Sequence, residues 1–298
     1  MRTYLDCVPC FVQQAIDSAR RVTDSPMMHE QLVRETLAAA AEMPFDQPPP
    51  VMGQLIHRRI RELTGIRDPY HAAKQQANAF ALRLYPDLKR RIERAEDSFA
   101  LAVTLAMAGN IIDLGVKSHL AEEEVHSAIV EALEATLDRS AIDDLRQAIA
   151  SAHTILYLAD NAGEIVFDRL LIEQMTLNKV TVAVKGSPII NDATREDAEA
   201  VGLTKLVNVI DNGADIPGTV LEACSDSFQR LFEAADLIIA KGQGNYETLN
   251  ECGRRNLFFL LKVKCPVIAR DISTNGDAAI DQKGVCRLGQ MVIRRGAR

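Results

Sequence analysis

The chain has 298 residues, 47% of them hydrophobic and 25% charged, enough for one large domain or two modest ones around a real core. A formal net charge of −7 argues against non-specific nucleic-acid binding, which needs a basic face, and with no Trp and 5% aromatics there is no stacking platform for single strands. No apolar run approaches the roughly 18 residues of a membrane span, and Asp6 and Cys7 interrupt the N-terminus before a secretory apolar region forms. The six cysteines, at 7, 10, 224, 252, 265 and 286, read as thiols rather than a disulfide framework, so the expected compartment is the cytoplasm.

Residues 1–150 read as helical. Apolar residues recur at helical spacing over Gln31–Met43, Leu55–Leu63 and Phe99–Ile112. The pattern returns over 121–137, with Glu122, Glu123 and Glu124 suited to a helix N-terminus. Pro48, Pro49 and Pro50 make a rigid break between two of these helices. After His153 the texture changes to short apolar runs: Thr154–Leu158, Val180–Val184, Leu206–Ile210, Leu237–Ala240, Phe258–Leu261 and Val267–Ala269. Unbroken runs of this kind are strands buried on both faces. Helical segments at Ile165–Met175, Thr194–Val201, Asp226–Ala234 and Glu247–Arg254 alternate with them. The expected fold is therefore α/β: a helical domain over 1–150, whose first twenty residues could pack on the second domain, then a parallel-sheet domain over 151–298.

Every strand of a parallel sheet ends on the same edge, and ligands bind outside those ends. Asp160-Asn161-Ala162-Gly163-Glu164 follows the first strand. Lys185-Gly186-Ser187-Pro188-Ile189-Ile190-Asn191-Asp192 follows the second, and Lys241-Gly242-Gln243-Gly244-Asn245-Tyr246-Glu247 the fourth. Carboxylate and amide oxygens suit a hard cation such as Mg²⁺ or Mn²⁺. Lysines and helix N-termini suit a phosphate. Each loop also has a plainer reading: Asp160 and Asp192 as helix caps, Lys185 and Lys241 as solvated edge residues, Gly242 and Gly244 as turn formers. Convergence of all three on one edge favours a site. A dinucleotide fingerprint needs a glycine-rich turn where this chain has Asp160, Asn161 and Glu164, and no Walker A pattern is present.

As a set, these three loops resemble the signature loops of the DUF89 family, the damage-control or metal-dependent phosphatases. Cys7-Val-Pro-Cys10, Asp68-Pro69-Tyr70 and Gly109-Asn110-Ile-Ile-Asp113 resemble its small bacterial and archaeal branch, and the likeness runs from about residue 4 to about residue 270. The resemblance implies a helical domain joined to a Rossmann-like three-layer domain, and one divalent metal (manganese, cobalt, nickel or magnesium) on Asp160, Asn161 and Asp192. It further implies that Lys241 faces the phosphate of a small phosphorylated metabolite. The stretch Ala269-Arg270-Asp271-Ile272-Ser273 departs from the apolar continuation expected there.

In that reading, Asp160, Asp192, Lys241 and Glu164 are the catalytic candidates, with Glu164 either base or loop-orienting residue and the second preferred, because its position is already explained by the helix dipole. Lys185, Asn191, Lys241 and Asn245 are the phosphate-binding candidates. The other function class is a non-hydrolytic nucleotide- or S-adenosylmethionine-binding protein, which the acidic first loop disfavours. Asp68 and Asn110 are equally cleft residues or caps, and His119 and His126 read as surface or packing residues. Cys7 and Cys10 remain open between redox activity, a structural metal and buried or regulatory thiols, with the last as default.

Overall fold

The computed structural model describes residues 1–109, 137–274 and 286–296. Residues 110–136 carry Asn110, Asp113, His119, His126 and nearly all of the expected 121–137 helix, which therefore lie outside the described residues.

Helices α1 (Val8–Val22), α2 (Pro26–Glu42) and α3 (Pro50–Thr64) each begin with a proline in the first two positions, where its missing N–H removes no helical bond. They pack around Phe11, Ala15, Leu32, Met52, Ile56 and Ile60. The proline break is where the sequence puts it, with Pro50 opening α3. Helices α4 (His71–Arg94), α5 (Ser98–Ala108) and α6 (Arg139–Ser151) join a different core, shared with one face of a sheet.

That sheet has the order β3-β2-β1-β4-β5-β6. Strands β1 (Ile155–Leu158), β2 (Val180–Val184), β3 (Asn208–Asp211), β4 (Leu237–Lys241) and β5 (Leu257–Lys262) are parallel. Between them run α7 (Glu164–Ile172), α8 (Arg195–Ala200), α9 (Asp226–Ala234) and α10 (Gly242–Leu249). Alternate strand residues serve opposite faces. Tyr157, Val182 and Ile239 meet α4, α5 and α7, whereas Leu156, Ile238 and Phe259 meet Phe228 and Phe232 of α9 and Leu249 of α10. This is the three-layer α/β architecture expected. Among the described residues no helix is long and apolar enough to cross a membrane.

Three details differ from expectation. Val267–Ala269 is not a strand but part of α11 (Pro266–Thr274), where Pro266 leads and Val267, Ile268 and Ile272 form the buried side; three apolar residues cannot separate the two periods. The sixth strand is β6 (Met291–Arg295), and it is antiparallel to β5, so the sheet is mixed at one edge. The helix expected over Glu247–Arg254 lies earlier, because α10 starts directly at the end of β4 and takes Gly242 and Gly244 into its first turn.

One carboxylate fastens α3 to the sheet. Asp215, in the loop after β3, accepts from Gln54 Nε2 at 2.7 Å, Arg58 Nη2 at 2.6 Å and Arg61 Nη2 at 2.5 Å. Arg61 Nη1 also donates to the Pro188 carbonyl in the loop after β2, at 3.0 Å. Burial alone would raise the Asp215 pKa, but these donors outweigh it and hold the carboxyl below the usual carboxylate range. A depressed carboxylate pKa adds stability above the unfolded pKa, and that stability is lost as pH falls through the folded value. Asp215→Asn is therefore expected to cost about 1–2 kcal/mol near neutral pH, between a surface ion pair and a buried charged hydrogen bond. Melting curves across pH should show the gap between parent and variant closing below about pH 4; a gap that persists there would assign the loss to packing instead.

Candidate active site

The strand order reverses direction between β1 and β4, which makes the space above their carboxyl ends the crevice of this sheet. The first loop leaves β1 there, and Lys241 ends β4 beside it. An isolated antiparallel bridge pairs Asn161 with Asp192, so the loop after β2 folds back onto the loop after β1. Ala193 N donates to Asp160 O at 2.8 Å and Ala162 N to Asn191 O at 2.9 Å. Asp160, Asn161 and Asp192 are thus gathered by main-chain bonds, and all three are buried. The Asp192 loop includes Ile190 at φ 45°, a strained conformation for a β-branched residue.

Orientation follows from the donors. Asn161 Nδ2 donates to Asp160 Oδ2 at 2.8 Å and to Glu164 Oε2 at 3.0 Å. With its amide hydrogens directed at carboxylates, its Oδ1 is the lone-pair end turned away from them. Gly242 has φ +79°, and a Cβ at that position would lie 1.8 Å from Asp160 Oδ2. Only glycine permits both that backbone and that approach. Among the described residues no three His, Cys, Asp or Glu side chains gather as a metal-binding group, so a cation here would take two carboxylates and the Asn161 amide. That all-oxygen set fits a hard divalent ion.

Lys241 is completely buried. Its Nζ donates to Glu164 Oε1 at 2.7 Å, Asp168 Oδ1 at 2.5 Å and the Ala106 carbonyl of α5 at 2.8 Å. An ammonium has three protons, and all three are used. Burial would lower its pKa, but Asp168 and Glu164 outweigh that and raise it. Asp168 itself is pushed up to about 6 by burial, against the pull of Lys241. Its Oδ1 also accepts from Tyr157 OH at 2.8 Å. Asn245 is equally committed: Nδ2 donates to Lys241 O at 2.8 Å, and Oδ1 accepts from Thr219 Oγ1 at 2.7 Å. The structure therefore sets Lys241 and Asn245 beneath the crevice as braces of its floor. Lys185 lies at its side, 3.4 Å from Asp192 Oδ2 and donating to the Gly218 carbonyl. Asn191 and Asp192 end the same loop. Helices α7 and α10 begin at the crevice with no side-chain cap; in α7 the Ile165 and Val166 N–H groups donate to the Asn161 and Gly163 carbonyls, which leaves α10 as the end better suited to an anion.

Several residues that matter were not singled out in the sequence. Asn78 of α4 accepts from Gly163 N at 2.7 Å and donates to Asp197 Oδ1 at 2.9 Å. Asp197 closes a capping box with Thr194, two residues after Asp192. Lys74 joins Asp197 at 3.1 Å and Asp68 at 2.9 Å. Asp68, which also accepts from Tyr70 N at 2.9 Å, is thus a turn cap and part of this clamp. The signal was available: Lys74 and Asn78 interrupt the stripe that Ala77, Ala81, Leu88 and Ile92 bury on α4. Asp168 likewise interrupts the stripe that Ile165, Val166, Phe167, Leu170 and Leu171 bury on α7. The unexpected Asp271 belongs to neither group. It accepts from Tyr246 OH at 2.7 Å and Asn250 Nδ2 at 3.1 Å, anchoring α11 on α10.

Comparison with known proteins identifies the family. A family model for the damage-control phosphatase ARMT1-like domain matches residues 3–279. The chain is 35% identical to a damage-control phosphatase of Archaeoglobus fulgidus, over 90% of this chain and 94% of that one. It is also 35% identical to a damage-control phosphatase of Pyrococcus horikoshii, over 97% of this chain and 100% of that one. A crystal structure of a DUF89 family protein from Pyrococcus horikoshii matches with a TM-score of 0.87 at 32% identity, covering 99% of both chains. The chain belongs to the ARMT1-like, or DUF89, family of damage-control phosphatases.

Proposed function

We propose that the protein is a divalent-metal-dependent phosphomonoesterase acting on small phosphorylated metabolites, sugar or cofactor phosphates among them. The observation that carries this is the main-chain pairing of Asn161 with Asp192, which gathers two buried carboxylates and an amide at the β1/β4 crevice beside the uncapped N-terminus of α10. The names of the Archaeoglobus and Pyrococcus relatives support the same reaction class.

Hydrolysis of a phosphomonoester breaks the bond from phosphorus to the leaving oxygen and forms one to a water oxygen; the departing alcohol gains a proton and the water loses one. The protein's task is positioning and charge balance. Asp160, Asn161 Oδ1 and Asp192 are the residues that would hold a cation. A divalent ion held there, manganese, cobalt, nickel or magnesium, would supply positive charge to the phosphate oxygens and acidify the attacking water. The N-terminal end of α10 would favour the anion, and Lys185 would offset its charge next to Asp192. Glu164 has both oxygens held, by Lys241 and Asn161, so it orients the Asn161 amide. Lys241 fixes Glu164 and Asp168 in turn, and the Asn78–Lys74 clamp holds the first two loops at their spacing.

Three outcomes are expected. Asp160→Ala and Asp192→Ala should remain folded, lose stoichiometric uptake of Mn²⁺ in calorimetric titration, and release phosphate from an aryl phosphate at least 100-fold more slowly, since each ~1.4 kcal/mol of lost stabilisation is tenfold in rate. Near-parental turnover in either variant rules out the assignment.

Asn78→Ala should keep its secondary structure and lose about 10–100-fold in metal affinity or turnover, the usual cost of removing a residue that orients ligands. Unchanged metal affinity and turnover would reduce the clamp to ordinary packing.

Lys241→Met leaves Glu164 and Asp168 buried side by side without their cation, a change of about 3–5 kcal/mol. Asp168 then loses the cation that pulls its pKa down while burial still raises it, so stability is fullest below the unfolded pKa and declines as pH rises through the folded one. The variant should melt higher at pH 5 than at pH 8; a flat profile would show that Lys241 does not hold this pair.

A further inference from the structure

The structure adds a fourth loop to the three that the sequence places on the carboxyl edge of the sheet. It leaves β3 after Asp211 and reaches α10 at Thr219. Its start is tied to β2 and to the loop that follows β2. Asn212 N donates to Val184 O at 2.9 Å, and the buried Asn212 Oδ1 accepts from Gly186 N at 3.1 Å and Ala214 N at 3.0 Å. A Cβ on Gly186 would lie 2.6 Å from Gly213, so the two loops meet there main chain to main chain. Ala214 and Ile216 then enter the core that α9 and α10 share with the sheet.

The end of the loop bears on α10. Gly218 has φ +71°, and a Cβ there would lie 2.2 Å from the Gly244 carbonyl oxygen. Thr219 is buried; its N–H donates to Thr248 Oγ1 at 2.9 Å and its hydroxyl to Asn245 Oδ1 at 2.7 Å. Thr248 Oγ1 in turn donates to Gly244 O at 2.9 Å. The carbonyl of that same Gly218–Thr219 peptide unit accepts from the buried Lys185 Nζ, which lies 3.4 Å from Asp192 Oδ2.

A peptide unit is planar, with its C=O and N–H on opposite sides. The bond from Thr219 N–H to Thr248 therefore sets the direction of Gly218 O. Glycine leaves that plane free to turn, so Gly218 does not set it alone. Lysine carries its charge on a flexible four-carbon stem. The ion pair with Asp192 keeps the ammonium near the carboxylate, and the Gly218 carbonyl gives it a direction.

We propose that Thr248 and Thr219 are positioning residues for a bound phosphate, acting through Lys185. They hold the Gly218–Thr219 peptide so that Gly218 O aims the Lys185 ammonium beside Asp192. This rests on the proposed function, in which Lys185 offsets the phosphate charge. A threonine hydroxyl bonded to the carbonyl four residues earlier is also an ordinary helix contact, which would give Thr248 a part in stability alone. The two roles differ in what they depend on. A stabilising contact acts whether or not Lys185 is present, whereas a contact that acts through Lys185 has no effect on the anion once Lys185 is gone.

The full chain is titrated with inorganic phosphate in the presence of Mn²⁺, as the parent, Thr248→Val, Lys185→Met and the double variant. Lys185→Met should weaken phosphate binding roughly 10–100-fold, the range for a lost hydrogen bond from a charged group. Thr248→Val keeps the side-chain shape and removes the acceptor; it should weaken binding about three- to tenfold, the range for a neutral hydrogen bond. In the Lys185→Met background the same change should cost less than about twofold. Thr248→Ser, which keeps the hydroxyl, should recover most of the affinity. Should Thr248→Val misfold, Thr219→Val enters the same cycle, with Thr219→Ser as its conservative partner. No phosphate binding by the parent, an unchanged affinity in Lys185→Met, additive losses in the double variant, or no recovery with serine would each overturn the proposal. A parent that shows the coupling but releases no phosphate from an aryl phosphate would refute the phosphatase reading and leave the positioning role standing.

Discussion

Four parts of this protein meet at one ammonium group. Lys241 ends β4, Glu164 and Asp168 lie one turn apart on α7, the Ala106 carbonyl belongs to α5, and Tyr157 of β1 reaches the same Asp168 oxygen. An isolated charge at this depth would be prohibitively unstable, and one lysine facing two carboxylates has the wrong stoichiometry for neutrality. The carbonyl and the phenol complete the hydrogen bonding, and burial first, with the Glu164 charge adding to it, raises the Asp168 pKa. Because the network fixes α7 relative to β4, it also fixes what α7 carries at its start: Glu164, through it the Asn161 amide, and the loop leading back to Asp160. The crevice above is therefore supported from below by a charge arrangement that never contacts solvent.

Support from the side comes from a separate source. The Asn78–Lys74–Asp68–Asp197 clamp belongs to α4, the turn before it and the start of α8, and holds the first and second loops together where the main-chain bridge between Asn161 and Asp192 has brought them. Main chain sets proximity, α4 sets spacing, and Lys241 sets the floor. A cation binding to Asp160, Asn161 and Asp192 would find ligands already held, which lowers the ordering entropy opposing binding.

The sequence revealed the parts of this arrangement that follow from local rules. Unbroken apolar runs gave β1, β2, β4 and β5, because buried parallel strands have no polar face to interrupt them. The loop residues Asp160, Asn161 and Asp192 were legible because topology alone puts them on one edge. What a side chain does once there was not legible. Lys241 looks in sequence like a free cation above a phosphate, yet its neighbours Glu164 and Asp168 are distant in the chain and reach it only after α7 packs on the sheet. Asn245 shares that fate, since its amide oxygen is taken by the Thr219 hydroxyl from a distant loop. Strand β6 was missed because Met291-Val-Ile-Arg-Arg is short and its partner lies in a strand it meets antiparallel, which no periodicity encodes. Val267–Ala269 was misread for the opposite reason, a run too brief to show its 3.6-residue period.

The two margins of the sheet bear on how the protein behaves at high concentration. On one side β6 covers β5 and presents Arg294 and Arg295 near its end. On the other, β3 is only four residues long and is exposed at both its first residue, Asn208, and its last, Asp211. An outer strand that is short and polar at its ends offers little main chain for another molecule to add to. A protein whose five parallel strands must pair across long sequence separations folds slowly enough for such edges to meet other chains. Short, charged margins let the hydrophobic centre of the sheet assemble in a crowded cell with less tendency to form intermolecular β-structure.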